Sequence, residues 1–195
     1  MSCYWNALIK GLDENDFKKV NKPNIITNPR AFASLLKENN KIPENIFVGG
    51  IKLTKNECKE MFDAVKEYDI NTTNCGYLCS ISDCFLSLMC ELFDLNIQHN
   101  YCGIEILYQN RSNNNIKKTV LVGSDKGHMW FNGISNDKKY SYLPQEINNE
   151  FTYIDNNTKN NTLNVIDIKK KQSTQLHQRN ALLRRMNYSR FAKFR

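Results

Sequence analysis

Histidine is scarce: the 195 residues carry three, His99, His128 and His177. Any chemistry that needs an imidazole must use one of them, and His177 falls in a basic stretch that suits it poorly. Long apolar runs are missing too. No run of about 18 apolar residues occurs, so no transmembrane helix is expected. The first residues lack a basic segment followed by an apolar one, so no secretory leader is expected. Phosphate loops, dinucleotide fingerprints and paired catalytic carboxylates are absent, which argues against nucleotide enzymes and leaves no cofactor to expect. No internal repeat is found.

Acidic residues vanish near the end. From Lys169 to Arg195 there are nine basic side chains and no acidic one. The first 168 residues then hold 18 basic against 20 acidic, so the net charge of +7 belongs to a tail on a nearly neutral body. Such a tail, with Tyr188, Phe191 and Phe194 interleaved, suits nucleic acid or another anionic surface. A solvated helix or a disordered arm is the plainer alternative.

What is present supports a folded body. Hydrophobic residues make up 41% and aromatics 11%, enough for a real core. Seven cysteines, an odd number, read as mostly reduced thiols in an intracellular setting. About one residue in seven is asparagine, which with abundant lysine and isoleucine fits an AT-rich coding genome.

Periodicity gives the elements. Tyr4, Trp5, Leu8, Ile9 and Leu12 share one arc of a helix over 3–12, with Ser2 as its N-cap and Cys3 on the opposite side, towards a cleft or solvent. Asn28-Pro29 opens a helix through Ala31–Lys37. A short hairpin is expected around Gly49-Gly50, and Thr54 with Glu57 forms a capping box before the next helix. Ser82 or Asp83 is expected to cap the apolar helix CFLSLMCELFDL. Four strands follow, NIQHNY, GIEILYQ, KTVLVGS and GHMWFNG, with NRSNNNIKK as a hairpin loop between the middle two. Residues 140–168 hold weak strand patches, and the end has helical spacing through Leu176, Leu182, Leu183, Met186 and Phe191. Helices before an antiparallel meander define an α+β class, with a domain over 1–168 and a basic tail over 169–195.

Two constellations carry chemistry. Cys3 at a helix head is a candidate nucleophile if His128, at the start of an aromatic strand, serves as its base. Packing roles are the alternative for both. Cys75, Cys79, His99 and Cys102 form a weak zinc-site alternative, since their spacing does not give the paired knuckles that structural zinc prefers. Cys84 and Cys90 fall in the apolar helix as core.

SCYWNALIKGL resembles the nucleophile segment of the ovarian-tumour (OTU) branch of papain-like cysteine peptidases. SDCFLSLMCELFDLNIQHNY resembles that family's later helix and strand, and VLVGSDKGHMWF its terminal strand, turn and Gly-His-aromatic block. The resemblance covers roughly residues 2–133 and points to the divergent OTU-like proteins of large nucleocytoplasmic DNA viruses. It implies a papain-like fold in which Cys3 attacks the C-terminal carbonyl of ubiquitin or a similar modifier while His128 moves the proton. The family's orienting Asp or Asn, two residues after the histidine, is Trp130 here, which leaves Asn132 and Asp125 as candidates. The localisation implied is host cytoplasm or virion. The alternative is a relative without catalysis, serving as a virion or host-interaction protein with the tail as its docking arm.

Overall fold

A computed structural model describes residues 2–74, 79–112, 117–125 and 127–136, with only the backbone for 79–81. The expected strand patches of 140–168 and the tail of 169–195 lie outside the described residues.

The helices begin where the local chemistry asks. The first, α1 (Cys3–Ile9), buries Tyr4, Trp5, Ala7, Leu8 and Ile9, the stripe its periodicity marks out. A short helix that the pattern does not announce, α2 (Glu14–Lys19), is held by a capping box between Asp13 and Asp16. In α3 (Pro29–Glu38), Asn28 caps the Ala31 N–H and proline occupies the first turn. The Thr54–Glu57 capping box opens α4 (Lys55–Glu67), and a 3-10 turn follows at Ile70–Asn74.

Central to them is α5 (Cys79–Phe93), in which Phe85, Leu86, Met89, Cys90 and Phe93 are fully buried. It starts before Ser82 and Asp83, so neither is its N-cap. Both are drawn into the interior: the Ser82 carbonyl accepts from the Tyr4 hydroxyl at 3.0 Å, and the Asp83 carboxylate accepts from Tyr108.

Six strands form one sheet: β1 (Ile46–Val48), β2 (Ile51–Lys52), β3 (Asn96–Tyr101), β4 (Ile104–Asn110), β5 (Thr119–Ser124) and β6 (Met129–Ser135). Their order is β2-β1-β4-β3-β5-β6. The expectation of an antiparallel meander is corrected at one place: β3 and β5 run parallel, Asn96 beside Thr119 through Tyr101 beside Ser124. With β4 turned back on one edge of β3, the chain crosses to the other edge before β5 begins. NRSNNNIKK is therefore a crossover and not a hairpin loop, and the class is α+β with a mixed sheet.

Helices gather on one face of this sheet. Side chains alternate across a strand, so Tyr108, Ile97 and Val120, in register with one another, point the same way. Tyr108 reaches Asp83 of α5, and Val120 lies under Gly11 at the end of α1. Trp5, Phe17, Phe32, Phe85 and Phe93 interlock edge-on and stacked between the helices.

Two outcomes follow. A Cβ at Gly11 would collide with Val120 Cγ1, and a β-branched buried valine has little room to move. Gly11→Ala is expected to lower stability by about 1–3 kcal/mol through overpacking, read from urea midpoints. Lys118 bonds both Asp13 and Asp16. That hydrogen bond holds the Asp13 carboxyl below its ordinary value, against a smaller opposing effect of burial. A depressed carboxyl stabilises above its unfolded pKa and loses that contribution as pH falls through the folded one. Lys118→Met should therefore show a shallower acid limb than wild type in denaturation midpoints taken between about pH 2 and 6.

Candidate functional site

Cys3 takes the first position of α1. Ser2 sits at the N-cap, but its side chain makes no capping hydrogen bond, which corrects the expected cap. The Cys3 thiol is half-buried and packs against the edge of the core, so it is less open than its position opposite the stripe suggests.

Contacts fix which way α1 points. Just past its far end, Gly11 abuts Val120 near the start of β5. Tyr4, beside Cys3, reaches the Ser82 carbonyl in the first turn and a half of α5. The later Cys90 of α5 bonds the Tyr108 carbonyl, at the opposite end of the sheet from Tyr101. The head of α1 is therefore at the end where Tyr101, Ser124 and Met129 are in register. His128, immediately before Met129, belongs to that same end.

The face is a different matter. Met129 is buried in the core, with the helices. Gly123 pairs with Trp130, and a Cβ on Gly123 would lie 2.5 Å from Trp130 Nε1, so the indole covers Gly123 on the face turned away from the helices. The His128 ring lies nearly parallel to that indole, at 6.1 Å between centroids and 21° between planes. Cys3 thus heads a helix on one face while the imidazole stacks on the other, and no hydrogen bond joins them among the described residues.

The candidate orienting residues have other duties. Asp125 accepts from the backbone N–H groups of Gly127 (2.9 Å) and His128 (2.7 Å), closing the turn before β6. These bonds, more than the His128 ring, hold its carboxyl below the usual range. Asn132 is exposed at a register shift, where Val122 pairs with Phe131 and Leu121 with Gly133. It is the extra residue of a bulge, so simple alternation from His128 does not reach it.

His99 lies on the helix side. It is fully buried, and its Nε2 is 2.6 Å from the Ser124 hydroxyl. Of the other zinc-site candidates, Cys75 and the Cys79 side chain lie outside the described residues, and Cys102 is exposed in the β3–β4 turn with φ of 49°. No group of three His, Cys, Asp or Glu suited to a metal occurs among the described residues. Burial raises the Cys84 thiol to about 12 and pushes Cys90 up as well, which makes both poor nucleophiles.

Sequence reasoning missed a polar cluster at the opposite end of the sheet. There Arg111 lies over the Phe47 ring, 4.0 Å from its centroid. A basic residue directly after a strand, two positions beyond the partner of an aromatic on the neighbouring strand, is a signal that only the pairing reveals. None of the described helices is long and apolar enough to cross a membrane. No protein-family model, curated protein or solved structure matches the chain.

Gly123 gives the test of the stacked pair. Gly123→Ala should force the indole off the sheet, with a red-shifted and more iodide-quenchable emission that disappears in the double variant with Trp130→Phe.

Proposed function

We propose that this chain works by binding, as a virion or host-interaction protein, and does not hydrolyse ubiquitin conjugates. The supporting observation is the side of the sheet on which His128 lies: its ring rests on Trp130, across the sheet from the helix that Cys3 begins. A cysteine nucleophile needs a base within hydrogen-bond reach, about 2.6–3.2 Å or somewhat looser in a free enzyme. The nine basic residues of 169–195 supply the chemistry for an anionic partner, nucleic acid being the best fit.

A second reading keeps the OTU-like cysteine peptidase. What favours it is that Cys3 and His128 occupy the same end of the sheet.

One experiment separates them. The full chain is treated with a ubiquitin bearing a C-terminal electrophile, beside Cys3→Ala and His128→Ala. The binding reading expects no adduct on Cys3; an adduct lost in both variants would establish the peptidase. In parallel, affinity for single-stranded DNA should fall steeply with salt and collapse on deletion of 169–195.

A further inference from the structure

Arg111 is held in place unusually firmly for a residue just past the end of a strand. Its guanidinium lies over the Phe47 ring, and its Nε and Nη2 both donate to Gln109 Oε1, at 3.2 and 2.6 Å. Its backbone N–H donates to the Asn45 carbonyl. The side chain is about half-buried, and that burial lowers it to about 10 with no carboxylate acting against it.

Lys52 comes to the same place. It is the cross-strand partner of Phe47, which on its other side pairs with Gln109. Lys52, Phe47, Gln109 and Arg111 therefore share the face away from the helices. The Lys52 ammonium donates to the Asn45 side chain at 3.1 Å. Neither cation has an ion pair among the described residues. Glu57, which raises the Cys58 thiol where Lys52 lowers it, has its carboxylate bonded to the Thr54 N–H and hydroxyl. Residues 113–116, next along the chain, carry no charge.

We propose that Arg111 and Lys52, gathered at Phe47, form a binding site for a phosphate group. Two bonds to Gln109 leave the outer edge of the guanidinium free to donate, and stacking has already fixed its plane, so little freedom is lost on binding. A carboxylate matches a guanidinium fork alone; a phosphate also has oxygens out of that plane, within reach of an ammonium alongside. The site is separate from Cys3 and His128, being at the end of the sheet where Asn96 and Thr119 pair.

The test is a chemical-shift titration of the full chain, following the Asn45, Phe47 and Lys52 amides, at constant ionic strength. Inorganic phosphate should shift them saturably. Lys52→Gln, an exposed position that leaves the fold intact, should raise the dissociation constant about tenfold, as loss of one charge-assisted bond implies. Arg111→Gln should abolish the shifts. A thymidine dinucleotide run alongside distinguishes sources: saturation by it points to a nucleic-acid backbone, and saturation by inorganic phosphate alone points to free phosphate. Equal shifts with chloride or acetate, or shifts unchanged in both variants, would overturn the site.

Discussion

Met129 is one of the best-buried side chains of the sheet, and a strand has period two, so its burial decides where the rest of β6 begins. With Met129 among the helices, Trp130 must face the other way. Gly123 on the neighbouring strand leaves it the space to lie flat. His128, one step earlier, shares the side of Trp130 and stacks on it. The same rule applied to β5 puts Val120, Val122 and Ser124 inward, where Ser124 meets the buried His99. One histidine is thereby committed to the interior and another to the outer face.

The interior itself rests on α5. Its buried Phe85, Leu86, Met89 and Phe93 each bring about 1.5–3 kcal/mol of transfer free energy, less the ordering entropy. An apolar helix of this kind needs cover all round, and α4, the sheet and the aromatic side chains of α1, α2 and α3 together provide it. Two of its polar groups are tied to the sheet: the Asp83 carboxylate accepts from Tyr108, and the Cys90 carbonyl accepts from the Asn110 side chain at 3.3 Å, while the Ser82 and Ser87 hydroxyls are buried without a partner among the described residues. Lys19 of α2 caps the arrangement by donating to the Phe93 carbonyl at 2.5 Å.

Much of this was legible from residues alone, for local reasons. Asn28-Pro29 and the Thr54–Glu57 pair are start signals whose partners lie within one turn, and both behave as expected. NIQHNY matches β3 residue for residue because a run of branched and aromatic residues bounded by turns leaves few choices. Ser82 and Asp83 misled for the opposite reason. They have the chemistry of caps, but both lie inside the helix, where the Asp83 carboxylate accepts from Tyr108, distant in sequence, and Tyr4 bonds only the Ser82 backbone carbonyl. The parallel pairing of β3 with β5 also has no local signature, since strand order depends on which edge the chain finds vacant. At the candidate site, the spacing from Cys3 to His128 was readable but the side of the sheet was not. That depends on which of two adjacent residues, His128 or Met129, the core admits.

The bulge at Asn132 has an effect beyond the residues it moves. Among the described residues β6 is the outermost strand at its end of the sheet, and an even outer strand is a template on which a second molecule can add. Here the register slips by one residue at Asn132 before pairing resumes, and Gly133, with φ of 135°, bends the strand in a conformation other residues rarely adopt. An incoming chain would find only a brief straight stretch to zip onto, so the irregularity guards against edge-to-edge aggregation.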